Sequence, residues 1–451
     1  MKKLATLSLL AVGVIALTAC GPTVKEYDGT EVQGVTAEKI LVGNTAATTG
    51  AFAGVGLPFN VGLEAALNAY NLVGGFNGAK VELKHYDDGF DGAQGATFTK
   101  KLVEDDKVFA LVGHFGTNTV AATVDYIKEQ GVPMVYAATG VNDLYQEGAT
   151  GYNKSVMPVQ PIYKTEGRVL LARALASTEG NVGLGASKVG VVYTSDDAGL
   201  GMLEGIRRQA EETTAEIIYS ETKADQGTNH AAAVSKVKDC DAIIVAANQV
   251  PFSEIMSYLG TGNVNKPVIT SYLSANTVTL GALVKAGAIS ADRPVYTNAW
   301  LDVTTEKGMQ DYLGFMAVTY LYYGITDPTT QFAHENFATA TAMCLNSYAM
   351  AGYCAGMIFL QGLQRVAEAE EELTWLNYIN AMESEEVNLP MGGTLNFANG
   401  DRLGIASLAL NTTTNAYVDN EDGTASTELV SVDEITSLDD IWATVPANLK
   451  K

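Results

Sequence analysis

From Lys39 onward, short apolar runs with strand-like character alternate along the chain with longer runs whose apolar positions recur at helical spacing. "KILVGNTA" (39–46) reads as a strand. In "LPFNVGLEAALNAYNLVGG" (57–75), Phe59, Leu63, Ala66, Leu67 and Tyr70 share one face, Pro58 stands near the start and Gly74-Gly75 at the stop. That spacing predicts an amphipathic helix. The strand "VELKHYDD", the helix "GAQGATFTKKLVEDD", the strand "FALVGH", a helix ending at Gly131 and the strand "VPMVYAATG" follow. Strands that alternate with helices in this way predict a parallel sheet covered by helices on both faces.

The rhythm restarts near Lys188 with "KVGVVYTSDD", "GLGMLEGIRRQAEETT", "EIIYSETK", "NHAAAVSKVKDC", "DAIIVAAN", "PFSEIMSYLG" and "KPVITSYL". The fold class is therefore α/β, with two doubly wound parallel-sheet lobes in tandem. Between them "SVMPVQPIY" (155–163) is extended and proline-bearing, as a crossing between lobes would be. "VYTNAWLDV" (295–303) and "GGTLNFANGDRLG" (392–404) are candidate second and third crossings. Residues 37–157 and 299–397 then make the N-terminal lobe, and 158–298 and 398–451 the C-terminal lobe. "TAMCLNSYAMAGYCAGMIFLQGLQRVAEAEEE" (341–372) reads as one long apolar helix whose Met, Tyr and Cys stripe is core.

With 451 residues the chain exceeds one ordinary core, in keeping with two lobes. Its net charge of -23 excludes nucleic acid as an expected partner, because no Lys/Arg stripe offsets repulsion from phosphates. The first twenty residues form a separate element: a basic "MKK", a short apolar stretch, and Cys20. The ending "LTAC" resembles the lipobox of bacterial lipoproteins. That resemblance implies a signal peptide over 1–20, a lipid on Cys20, and a polar linker over 21–36 between membrane and lobes. Cys240, Cys344 and Cys354 remain, an odd number that points to buried free thiols. Cys344 and Cys354 fall in one helical pattern, roughly 15 Å apart along its axis, beyond disulfide reach. His85, His114, His230 and His334 show no ligand spacing, and no metal site is expected.

"GHFGTNT" (113–119) sits where an apolar strand hands over to a helix, the position at which open parallel sheets bind ligands. Its glycines admit close backbone approach, and its hydroxyl and amide side chains join the unpaired N–H groups of the helix start. That set can hold a carboxylate without a basic residue. The same residues could instead serve only as a helix cap, through Thr117, Asn118 or Thr119.

"LVGNTAATTGAFAGVG", "GGFNGAKVELKHYDD", "LVGHFGTNTVAATVDYIKEQGVPMVYAATG" and "VGVVYTSDDAGLGMLEG" occur in that order. The series resembles the type I periplasmic-binding fold, and closely the branched-chain amino acid-binding proteins of ABC importers (Leu/Ile/Val-binding type). The resemblance covers nearly all of the chain after Cys20. It implies two lobes joined by a three-stranded hinge, closing on a solute. It places the carboxylate-binding hydroxyl on Thr117, with Asn118 beside it, and further ligand contacts on Ala137 and Thr139. The turn Thr49-Gly50-Ala51 leads to Phe52 and Val55 as apolar walls.

The second lobe departs from the family pattern. "DAGLG" (197–201) lacks the tyrosine usual there, and "ITSYLSAN", where the acid that pairs with a ligand ammonium would fall, has Ser271 and Tyr272 but no carboxylate. Tyr272, Asn248 or Asp197 would have to compensate. The ligand class is thus open between an apolar amino acid and a non-amino carboxylate, amide or purine. Tyr86, Asp87 and Asp88 suit a turn rather than calcium, and Asp196 and Asp197 argue against a dinucleotide at "SDDAGLG". No nucleophile motif is visible. The expected function is non-enzymatic: a lipid-anchored, extracytoplasmic binding protein, monomeric and without a cofactor, that delivers a solute to ABC permease subunits. A sensory lipoprotein and an enzyme on the same scaffold are the alternatives.

Overall fold

The computed structural model describes residues 24–451 apart from residues 304, 421 and 422. The signal peptide and Cys20 lie outside the described residues. The first sheet contains β1 (Lys39–Ala46), β2 (Lys80–Asp87), β3 (Ala110–Val112), β4 (Met134–Val135) and β5 (Val156–Met157), in the order β2-β1-β3-β4-β5 and parallel throughout. Helices α1 (Ala53–Leu72), α2 (Gly92–Lys100) and α3 (Thr117–Gln130) connect these strands. Phe59, Leu63, Ala66 and Leu67 are the buried face of α1.

After α4 (Tyr163–Leu175) the second sheet builds from β6 (Lys188–Thr194), β7 (Glu216–Thr222), β8 (Ala242–Ala246), β9 (Val268–Thr270) and β10 (Val295–Ala299). Between them run α5 (Asp197–Ala210), α6 (Ala231–Val237), α7 (Gln249–Thr261) and α8 (Thr277–Lys285). The chain then returns to the first lobe for α9 (Glu306–Tyr322), α10 (Phe337–Cys344), α11 (Ser347–Glu368), α12 (Trp375–Ser384) and the hairpin β11 (Val387–Asn388) and β12 (Thr394–Leu395). Helix α11 packs closely on α1, and Trp375 Nε1 of α12 donates to the Phe109 carbonyl at 2.8 Å. A last crossing leads to β13 (Leu408–Thr413), the hairpin β14 (Val418–Asp419) and β15 (Ala425–Ser426), β16 (Leu429–Thr436) and α13 (Leu438–Ala443) in the second lobe.

The second sheet runs β16-β13-β10-β9-β8-β6-β7. It is mixed, whereas the periodicity predicts only parallel strands. Strand β10 leaves the sheet at Ala299 toward the first lobe and β13 re-enters opposite it, so β13 must run antiparallel to β10. Strand β16 pairs antiparallel with β13 in turn.

Three further expectations are corrected. A 3-10 turn, Gly50–Phe52, leads into α1, so the helix starts at Ala53 and Pro58 lies inside it. The carbonyl that Pro58 cannot serve is that of Gly54, an exposed residue. The single helix expected over 341–372 is two, α10 and α11, bent by 78°. Asn346 ends the run because its side chain accepts from the N–H groups of Tyr348 and Ala349 and starts α11 afresh. Cys344 and Cys354 thus sit on different helices, and both are buried free thiols, as is Cys240. The segment read as a polar linker is, from Lys25 on, fastened to the first lobe. Tyr152 N donates to Lys25 O, Tyr27 OH to Gly131 O, Gln33 Nε2 to Val108 O at 2.8 Å, and Trp375 N to Glu31 O.

Candidate ligand site

In the first sheet the strand order reverses between β1 and β3, and in the second between β6 and β8. Crevices at such switch points, beyond the carboxyl ends of the strands, are where doubly wound sheets bind ligands. The two ends face one cavity of about 1070 Å³. Phe52, Val55, Phe115, Thr117 and Ala138 reach it from the loops and helix starts at the first sheet's end, and Asn248, Tyr272 and Trp300 from the second's.

At the first-lobe end, Gly113 (φ 62°) and Gly116 (φ 100°) occupy left-handed backbone that a side chain would oppose. Gly116 is the N-cap of α3, and no side chain caps that helix. Capping by Thr117, Asn118 or Thr119 is therefore not what the cluster does. Thr117 Oγ1 lies 3.1 Å from Thr139 Oγ1 and 2.9 Å from Tyr163 OH, and Thr139 Oγ1 lies 3.1 Å from the same phenol. Burial pushes the Tyr163 phenol up to about 12, so it stays neutral and can donate to Thr117. The Thr117 hydroxyl proton and the first N–H groups of α3 can then converge on an anion.

The aromatic wall depends on a strained loop. Phe90 has φ 68°, unusual for a bulky residue, and its ring stacks on Phe52 with centroids 3.8 Å apart. Phe90 N donates to Asp88 Oδ1 at 2.9 Å, and Asn118 Nδ2 donates to Phe90 O at 3.1 Å. Asp88, buried, also accepts from Thr45 and Thr119, while Asp87 accepts from Thr48 N, Thr49 N and Gly89 N. Both acids of the "YDD" triplet thus hold turns. Asn118 does not line the cavity; it braces Phe90. Ala137 is buried in the lobe, and its neighbour Ala138 lines the cavity in its place, because successive residues of extended backbone face opposite sides. Thr139 is likewise off the wall, behind Thr117. His114 turns inward to Thr99 and Thr123, and burial lowers its pKa to about 4.

On the second lobe, Asp197 is exposed and does not line the cavity. Asp196, the half-buried N-cap of α5, is also off the lining: it accepts from Gly199 N at 3.0 Å and lies 3.5 Å from Asn248 Nδ2, which does line the cavity. Tyr272 OH donates to Pro161 O at 3.1 Å. Behind Tyr272 lies a carboxylate the sequence reading missed. Glu166, fully buried in the first turn of α4, accepts from Ser271 Oγ at 2.7 Å, Tyr272 N at 2.8 Å and Asn298 Nδ2 at 3.3 Å. Burial raises its pKa to about 7 against these three bonds. Tyr163 and Glu166 gave no sequence signal beyond their position at the end of an extended crossing.

Among the described residues, no lysine or arginine lines the cavity; its charged residues are Asp302, Asp419 and Glu428. The lobes also touch along its lining, where Tyr348 OH donates to Leu273 O at 3.0 Å and Ser347 Oγ to Ala275 O at 2.9 Å.

A family model described as "Periplasmic binding protein" matches residues 39–412. An "Amino acid binding protein" of Pseudomonas aeruginosa is 26% identical over 208 residues, 46% of this chain and 52% of that protein. The chain thus matches about half the length of this curated relative. A fatty acid ABC transporter substrate-binding protein from Thermomonospora curvata superposes with a TM-score of 0.70 at 18% identity, covering 93% of this chain and 98% of the other. A branched-chain amino acid transporter substrate-binding protein from Streptococcus pneumoniae, solved with isoleucine, gives 0.63 at 19% identity over 87% and 100%. At these identities the likeness is one of fold.

Proposed function

The chain belongs to the periplasmic binding protein family, and from that premise we propose that it is an extracytoplasmic solute-binding protein of an ABC importer, capturing a carboxylate-bearing solute with an apolar body. The observation that carries this reading is the start of α3. Its cap is a glycine without a side chain, its first hydroxyl is backed by Tyr163 and Thr139, and it opens on the cavity between the lobes. A carboxylate there completes the helix N-terminus electrostatically and by hydrogen bonds, with no cation required. Closure follows from ligand contacts made to both lobes at once, which favour the closed arrangement. The names of the Pseudomonas aeruginosa relative and of the isoleucine complex make an apolar amino acid one such solute; Asn248, Tyr272 and Asp302 are the polar lining groups open to its ammonium. In this reading Cys20 carries the lipid that keeps the protein at the outer face of the cytoplasmic membrane, beside its permease.

The test is a thermal-shift screen of the chain from Gly21 on, which contains every described residue, against amino acids, aliphatic and aromatic acids, purines and amides. A ligand at about a thousand times its Kd adds roughly 4 kcal/mol of stability. Thr117→Val, which keeps the shape and removes the hydroxyl, should weaken a carboxylate ligand about tenfold, the worth of one lost charge-assisted bond. A screen in which only purines or uncharged amides shift the melting temperature overturns the carboxylate reading.

A further inference from the structure

The cavity does not end at the aromatic residues around Thr117. It continues outward between α10 on the first lobe and the β14–β15 hairpin on the second. One face of α10 is packed: Ala340 and Cys344 are buried in a small cluster with Tyr320. The other, with Ala338, Ala342 and Leu345 at helical spacing, is exposed and lines the cavity. The 78° bend at Asn346 sets α10 off from α11 and stands that apolar face along the cleft. Opposite it, the hairpin segment contributes Asp419, Asn420, Ser426 and Glu428. The volume of about 1070 Å³ lies just above the range of pockets that enclose drug-sized ligands. A branched-chain amino acid at the α3 end would leave most of it wet.

We infer that the ligand is an elongated monocarboxylate, its head at the start of α3 and its apolar body running past Phe52, Phe90 and Trp300 to the outer face of α10. The inference rests on the carboxylate reading of α3. The extended cavity carries it; the α10 face gives the far end of the body an apolar surface that water otherwise covers. On the outer wall Asp419 is paired with Lys285 at 2.7 Å, and Glu428, with no lysine or arginine on the lining, opposes a second carboxylate at that end.

The decisive experiment is calorimetric titration of the chain from Gly21 on with isoleucine, butanoate, octanoate, dodecanoate, phenylbutanoate, dodecanedioate and dodecanol. Affinity should rise about two- to fourfold per methylene from butanoate upward, dodecanedioate should bind at least tenfold more weakly than dodecanoate, and isoleucine should be no tighter than butanoate. Ala342→Asp, and independently Leu345→Asp, both at exposed positions, should weaken dodecanoate at least tenfold more than butanoate. Phenylbutanoate binding more tightly than octanoate assigns an aryl body, and the reverse an acyl chain; either supports the proposal. Affinities that are flat with chain length, or α10 variants that act equally on short and long ligands, overturn it while the carboxylate head stands. Dodecanol binding as tightly as dodecanoate does the converse: the head reading fails and the elongated body remains.

Discussion

Replacing Glu166 by glutamine should stabilise the protein above neutral pH and leave it unchanged in acid. The carboxyl is fully buried, and its pKa of about 7 stands against an ordinary 4.5. That difference of roughly 2.5 units is worth about 3 kcal/mol. Between about pH 4.5 and 7 the folded chain retains a proton that the unfolded chain releases, so this group's contribution to stability falls as pH rises and is level above 7. Glutamine keeps an oxygen for Tyr272 N and Asn298 Nδ2, and its amide N–H can donate to Ser271 Oγ, which then accepts. It carries no charge to desolvate. His114 contributes the opposite slope: its pKa is lowered to about 4 from 6.5, so its contribution grows as pH rises through that interval. The two nearly cancel in the whole protein, and only the difference between native and Glu166→Gln chains isolates the carboxyl. Melting temperatures of both should be measured from about pH 4.5 to 8.5. The variant's advantage should grow from near zero to a few degrees. A difference that is constant with pH, or that grows toward acid, refutes the reasoning.

Two glycines should respond to alanine with opposite signs. A Cβ on Gly352 would stand 1.8 Å from the Phe59 carbonyl oxygen, where α11 meets α1, so Gly352→Ala should cost at least about 1–3 kcal/mol and lower the melting temperature. In α9 the nearest neighbour of a Cβ on Gly314 is Tyr353 Oη at 3.8 Å, so Gly314→Ala should stabilise by roughly 0.5–1 kcal/mol in urea unfolding. Metabolic labelling with a tagged fatty acid should mark the full chain and be lost in Cys20→Ala; equal labelling of both would sink the anchor assignment.

Much of the fold was legible because the two periodicities differ so plainly: buried parallel strands such as "AIIVA" (242–246) are apolar throughout, and their helices carry apolar residues on one face. What escaped was local or terminal. Nothing in the hydropathy of 337–368 marks the break at Asn346, because the short polar pair Asn346-Ser347 in an apolar run reads as helix until the Asn346 side chain is seen capping the next one. The antiparallel strands "LALNTT" and "LVSVDEIT" are part polar, as strands toward the edge of a sheet are, and show no continuous apolar run. Residues 25–38 are polar in composition, yet they are fixed by backbone and side-chain bonds to the first lobe that composition does not encode.

The site divides along the same line. Its first-lobe half lies within contiguous stretches, and "GHFGTNT" announces itself because left-handed backbone at Gly113 and Gly116 demands glycine. Even there, sequence adjacency misleads: Asn118 and Thr139 lie beside wall residues yet act through Phe90 and Thr117. The second-lobe half is assembled from distant segments. Glu166 precedes the Ser271 it binds by 105 residues, so the acid absent from "ITSYLSAN" is supplied from α4, and supplied inward. There it accepts from the backbone of Tyr272 and the side chain of Asn298, bracing the ends of β9 and β10 from behind instead of facing the cavity. A carboxylate that braces the wall cannot also pair with a ligand ammonium. That is the physical reason an ammonium at this wall would have to find its partners elsewhere, on Asn248, Tyr272 or Asp302, and why a ligand without an ammonium fits it with less desolvation to offset.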